Sequence, residues 1–260
     1  MLKALLPPLV LALQPRKREE YGWFGEYLSW KQALAECTGY DAAQIFEKVR
    51  SAALQVRNGS AAFERDAVVF DKNEYSWPLL SCLMWIAARN KGALRVLDFG
   101  GGLGSTYFQN RKFLNALQVE WSIVEQKHFV DCGIEFFSDN VLRFHADFES
   151  CFLKQQPDTV LFCSVLQYIE KPYNLLKQVF SKGFKYVVID RTPFTDDGSS
   201  RLTIQRVNPQ IYEASYPCWF FSEDEFVQFF SHEFNLVEEF VSPDKANFPS
   251  TFKGFLFCKK

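Results

Sequence analysis

The chain has 260 residues, 48% hydrophobic and 23% charged, enough for one large domain, or one domain with an extension, around a sizeable core. With 29 Lys and Arg against 31 Asp and Glu, the net charge is -2, which excludes a strongly basic nucleic-acid binder as the default. Aromatic residues reach 17%, with 28 Phe against 2 Met, so Phe is expected to fill core positions in place of Met.

The chain opens on an apolar run at 4–13, interrupted by Pro7 and Pro8 and followed by Arg16, Lys17 and Arg18. It is too short to span a bilayer and lacks a cleavage site. It is expected to pack on its own domain or on a partner; a peripheral contact of residues 2–18 with the inner membrane face is the alternative. Residues 1–92 read as a mainly helical cap. Helices are predicted at 28–37 with Ser29 as N-cap, at 41–56 with Asp41 as cap, and at 77–90, while 68–70 is either a short strand or a docked loop.

From residue 93 the pattern changes. Strands are predicted at 94–99, 120–124, 141–145, 159–163 and 186–189, separated by helices at 105–116, 129–137 and 173–180, with 151–154 an irregular link. Such alternation means an α/β fold with a mostly parallel sheet covered on both faces. A helix at 223–230 and a late antiparallel hairpin, 235–241 with 254–258, close the chain. Residues 190–221 carry Arg191, Arg201, Arg206, Tyr212, Tyr216 and Trp219 with few apolar residues typical of a core, and read as a lid-like insertion over the C-terminal sheet edge. The seven cysteines form no C-x-x-C pair and the three histidines are scattered, so reduced thiols in the cytoplasm are expected rather than disulfides or zinc.

The most informative stretch is Asp98-Phe99-Gly100-Gly101-Gly102-Leu103-Gly104-Ser105, a buried strand end, a carboxylate, glycines and a helix start. Glycines let the backbone turn tightly and approach a ligand, and the helix offers free N–H groups. The spacing D-x-G-x-G-x-G differs from the dinucleotide fingerprint and resembles class I S-adenosylmethionine (SAM) methyltransferases. An ordinary strand–helix turn is the alternative. Glu125, ending the next strand, stands where an acidic residue takes both ribose hydroxyls. Asp147 and Phe148 after the third strand fit the adenine contacts, or equally a helix cap and a core aromatic. After the fourth strand, Ser164, Val165 and Gln167 would line the methionine side.

The whole chain resembles an uncharacterised family of bacterial SAM-dependent methyltransferases whose genes often lie in surface-polysaccharide clusters. The resemblance rests on Gly22-Trp23-Phe24-Gly25 with Tyr27, Ser29 and Trp30; Gly39-Tyr40-Asp41; Glu64-Arg65-Asp66; Tyr75-Ser76-Trp77-Pro78; the glycine turn; Asp190-Arg191-Thr192-Pro193-Phe194; and the run from Ala214 to Phe220. It implies a Rossmann-like seven-stranded SAM-binding domain over 93–260 behind an N-terminal helical extension. It also implies methyl transfer but supplies no acceptor; a hydroxyl of a sugar or related small molecule is expected from the segment 190–221. Arg191, Arg201, Tyr212, Tyr216 and Trp219 are the candidates for binding that acceptor, because Arg forks and aromatic faces suit a sugar or sugar phosphate. His145, Asp190 and Arg191 are the candidates for catalysis, with Glu64 and Asp66 as further carboxylates; no single base stands out. No metal is expected, because Cys163 and Ser164 occupy the place of a carboxylate cluster. The Asn/Asp-Pro-Pro-Tyr motif of nucleobase amino methyltransferases is absent, against nucleic acid as substrate. Rival readings are other chemistry on the same fold, such as aminopropyl transfer, and a non-catalytic scaffold in polysaccharide assembly.

Overall fold

The computed structural model describes residues 21–38 and 42–260. The apolar run at 4–13, the membrane alternative for residues 2–18, the Asp41 cap and Gly39-Tyr40 lie outside them. In chain order the elements are β1 (Gly22–Phe24), α1 (Trp30–Ala35), α2 (Ala42–Arg57), β2 (Phe63–Arg65), β3 (Val68–Phe70), α3 (Trp77–Arg89), β4 (Ala93–Phe99), α4 (Ser105–Leu114), β5 (Gln118–Val124) and α5 (Lys127–Phe136). There follow β6 (Leu142–His145), α6 (Phe148–Lys154), β7 (Thr159–Cys163), α7 (Pro172–Ser181), β8 (Tyr186–Thr195), β9 (Arg201–Arg206), β10 (Ser215–Phe220), α8 (Glu223–Ser231), β11 (Phe234–Val241) and β12 (Ser250–Lys259).

The central sheet has seven strands in the order β11-β12-β8-β7-β4-β5-β6. β12 runs antiparallel to both β8 and β11, and the other pairings are parallel. From β4 the chain winds outward through β5 to β6, then returns to place β7 on the other side of β4. The C-terminal ends of β4 and β7 therefore flank a topological switch point, where ligands bind in open α/β sheets.

Period-two alternation sorts the strand residues onto two cores. Leu161 and Val188 face α3, α4 and α5 with Leu83, Ile86 and Trp121. Phe162, Val187 and Ile189 face α7 and α8. This second core holds much of the Phe excess: Phe180, Phe194, Phe226, Phe230, Phe255 and Phe257 pack together, with Phe230 stacked on Phe257 at 4.1 Å.

Three expectations need correction. The block before residue 93 is not simply helical. Its β1 joins β9 and β10 in a separate antiparallel sheet, and β2 pairs with β3 as a hairpin, so 68–70 is a strand. Three residues per strand are too few for a periodic signal. Residues 151–154 are not an irregular link but the end of α6, which the Asp147–Ser150 capping box starts. Residues 190–221 are not poor in core residues. β8 runs on to Thr195, and Leu202, Ile204, Cys218 and Phe220 are buried, Leu202 and Ile204 beside Ala33 of α1 and the other two beside Phe252. The Ser29 cap forms, its hydroxyl accepting from Gln32 N, and β11 and β12 make the expected edge hairpin.

Candidate functional site

At the end of β4 the backbone is left-handed at Gly100, Gly102 and Gly104, with φ of +70°, +57° and +100°. A Cβ at Gly100 would lie 2.5 Å from Val165 Cγ2, and one at Gly101 2.6 Å from the Asp98 carboxylate. Before Gly102 there is open space. These glycines thus admit Val165 from after β7 on one side and Asp98 from beneath, and leave bare backbone facing outward. Gly104 is the N-cap of α4 and supplies no side-chain cap, so the first N–H groups of that helix remain available to a ligand.

Three carboxylates surround this turn. Asp98 is fully buried; its Oδ2 accepts from Trp121 Nε1 at 3.1 Å and its Oδ1 has no partner. Burial pushes its pKa up to about 7, Glu125 adding to the rise and the Trp121 bond opposing it. Glu125 follows β5, its Oε1 accepting from Gln126 N at 2.9 Å, its Oε2 3.7 Å from a Cβ at Gly100. Burial raises its pKa too. Glu64 of β2, only 2% exposed, accepts from Ser105 Oγ at the start of α4. Burial, then the Asp66 charge, push it up to about 8, against a hydrogen bond from the Ala67 backbone. The sequence offered Glu64 as a base candidate and as part of the Glu64-Arg65-Asp66 run, with no place in the fold. Its place beside the turn depends on hairpin packing that no local pattern encodes.

On the β6 side, His145 is buried with Nε2 unpartnered, and burial lowers its pKa, aided by Lys154 and Arg143. Asp147 is exposed and caps α6 through Ser150 N at 2.7 Å; Phe148 stacks on Phe99 at 5.4 Å. Asp147 thus acts as a helix cap and Phe148 packs against a core aromatic. Beyond β7, Ser164 has a φ of +55°; its N–H donates to Asp190 O, and its Oγ accepts from buried Gln167 Nε2 at 3.2 Å. Gln167 Oε1 has no partner.

Asp190, buried in β8, accepts from Ser242 Oγ at 2.7 Å, Arg191 N at 2.8 Å and Ser76 Oγ at 3.2 Å, while burial raises its pKa. The Arg191 guanidinium forms a bidentate pair with Asp244, both contacts 2.9 Å, and lies 3.4 Å from Asp66. Burial works against its charge, but Asp66 and Asp244 outweigh it and hold it protonated. Arg201 pairs with Asp197 at 3.1 Å and lies over the Phe248 ring; Arg206 lies over Phe24. Trp219 stacks on Trp30 at 6.5 Å, and Tyr212 is buried beside Ile45. Tyr216 meets Tyr168 edge-on at 5.1 Å, and the Tyr168 hydroxyl donates to Gln205 at 2.7 Å. Asp66 and Ala67, both left-handed, turn the β2–β3 hairpin toward this aromatic group. Asp66, Ala67, Ser164 and Arg191 are four of the five described non-glycine residues with positive φ, so backbone strain gathers where β7, β8 and the hairpin tip meet.

Among the described residues no group of three or more His, Cys, Asp and Glu could hold a metal, and no helix is long and apolar enough to cross a membrane. No protein-family model and no curated protein matches the chain. Solved structures do. Magnesium protoporphyrin IX methyltransferase from Synechocystis PCC 6803 with bound SAH is similar at 14% identity, over 85% of this chain and 100% of that one, with a TM-score of 0.50. The N-terminal domain of EvdMO1, in the presence of SAH and D-fucose, aligns at 16% identity over 85% and 98%, with a TM-score of 0.49. The 1,6-didemethyltoxoflavin-N1-methyltransferase of Burkholderia thailandensis aligns at 15% over 85% and 92%, with a TM-score of 0.46. The fold is the Rossmann-like methyltransferase fold.

Proposed function

We propose that the chain is a SAM-dependent methyltransferase acting on a hydroxyl of a sugar or related small molecule. The observation that carries this reading is the glycine turn at the switch point, with open space before Gly102 and an unpartnered, fully buried Asp98 oxygen beneath it. A site of this kind suits a ligand that brings both a cation and hydrogen-bond donors. SAH bound to the similar Synechocystis enzyme supports SAM as the methyl donor on this fold.

In this reading the backbone at 100–104 and the first N–H groups of α4 hold the amino-acid end, Glu125 takes the ribose hydroxyls, and Ser164 and Val165 wall the methionine side. When bound, SAM would supply an electrophilic methyl for the acceptor oxygen, the hydroxyl proton passing to solvent. The aromatic group of Tyr168 and Tyr216, with Gln205 and the hairpin tip at Asp66, supports an acceptor that presents a flat face and hydroxyls. Holding donor and acceptor in line supplies much of the rate. Seven unpaired cysteines fit a reducing, cytoplasmic setting.

Calorimetric titration with SAM tests the reading. Binding at tens of micromolar or tighter is expected, and Asp98→Ala should abolish it. No binding of either SAM or SAH at that concentration would overturn the function; unchanged affinity in the variant would move the pocket elsewhere.

A further inference from the structure

We propose that the acceptor is an unphosphorylated sugar or glycoside, held by the Asp66 carboxylate beside Tyr168 and Tyr216, and that the site turns sugar phosphates away. This rests on the methyltransferase reading and names the substrate class of the same site. The β2–β3 hairpin joins the two halves of that site. Glu64 accepts from Ser105, the first residue of α4 after the glycine turn, and Asp66 lies 3.4 Å from Arg191 of β8. Two residues of extended chain span roughly 7 Å, so the hairpin tip stands one short step from the turn. The opposite wall follows the same path. Val165 lies against Gly100, and Gln167 Nε2 donates at 3.2 Å to both Ser164 Oγ and Arg191 O.

The charges at the tip decide the class. Arg191 is the guanidinium a phosphate would need, but Asp244 occupies it through two contacts of 2.9 Å. Arg65 lies over the Phe70 ring, and its charge falls on Asp244. Of the carboxylates here, Asp244 is taken by Arg191, and buried Asp190 by Ser242, Arg191 N and Ser76. Asp66 is the open one: its side chain is 61% exposed, and its contact with Arg191 is through Oδ2 alone. Its charge reaches Tyr168, Tyr212 and Tyr216, and half-buried Tyr168 and Tyr216 meet edge-on at 5.1 Å. A carboxylate beside aromatic rings suits the hydroxyls and the apolar C–H face of a sugar. A phosphate would instead meet the Asp66 charge with no free guanidinium to answer it.

The test uses the full chain loaded with SAH and two matched pools. One holds methyl glycosides of hexoses, 6-deoxyhexoses and N-acetylhexosamines, and the other the 1-phosphates of the same sugars. Saturation-transfer NMR reads binding without turnover, and labelled SAM then reads methyl transfer to the same pools. The glycosides are expected to bind at least about tenfold more tightly than their phosphates, the scale of one charge interaction at a partly screened site. Asp66→Asn keeps the shape and removes the charge. It should weaken the bound glycoside about tenfold and narrow the gap between the pools, while SAH affinity stays within about twofold. Preference for the phosphates in the unaltered protein would overturn the inference, whatever the variant does. An unchanged gap in Asp66→Asn would remove Asp66 from the selection. If SAH binds but neither pool binds or takes the methyl, the sugar acceptor falls and this inference with it. Failure to bind either SAM or SAH would overturn the function itself, a distinct result.

Discussion

Around the glycine turn, Asp98, Glu125 and Glu64 have no cationic partner among the described residues, whereas in the segment 190–221 Arg191 is gripped by Asp244, Arg201 by Asp197, and Arg206 lies over Phe24. Both regions border the C-terminal edge of the sheet, and both stood out in the sequence, the first for its glycine spacing and the second for charged residues among aromatics. A charge with a well-placed protein partner holds the fold together, whereas a buried carboxylate left alone costs stability and awaits something the chain does not supply.

Measurement can separate the two regions. The largest expected effect is on the paired side: Arg191→Ala leaves Asp244 and Asp66 facing each other and should cost about 3 kcal/mol in urea unfolding, with SAM affinity little changed. On the unpaired side the outcome should reverse. Asp98→Asn should weaken SAM at least about tenfold in calorimetry, yet leave the ligand-free protein as stable or more so, since it removes a buried charge.

The pH dependence follows with its sign. Asp98 and Glu64 hold protons more tightly in the folded chain, at about 7 and about 8, than their ordinary values of 3.8 and 4.5. The folded state therefore binds more protons between those limits, and ligand-free stability falls as pH rises from about 4 toward 8. A thermal midpoint dropping by at least about 2 °C across that window, flattened in its upper part by Glu64→Gln, is the expected record. The smallest effect belongs to Arg201→Ala, whose exposed pair with Asp197 should be worth under about 1 kcal/mol in the same urea assay.

Much of the α/β half was legible because its strands are apolar runs and its glycines mark the turn. The strand predicted at 159–163 coincides with β7, and those at 94–99 and 120–124 differ from β4 and β5 only at their starts. Ser29 was legible as a cap because capping is a local event. What stayed hidden was pairing across the sequence. Trp23 offers no period-two run, and only its alignment with Gln205 makes it a strand residue. Glu64 stood out only as a candidate carboxylate, and its seat against Ser105 depends on the hairpin. The arginines of 190–221 suggested anion binding because Asp244, the partner of Arg191, lies 53 residues away. The Asp147–Phe148 pair carried its ambiguity honestly in the sequence, since a cap and a ligand acceptor need the same carboxylate.

Asn247, in the connection between β11 and β12, grips Trp23 by both ends of its amide: the Trp23 N–H donates to Asn247 Oδ1 at 2.8 Å, and Asn247 Nδ2 donates to Trp23 O at 3.0 Å. Those partners are 224 residues apart, and among the described residues β1 has its only strand neighbour in β9. A chain emerging from the ribosome makes residues 22–24 long before the β9 residues they pair with. Docking β1 closes a long loop, and it should be a slow step in refolding.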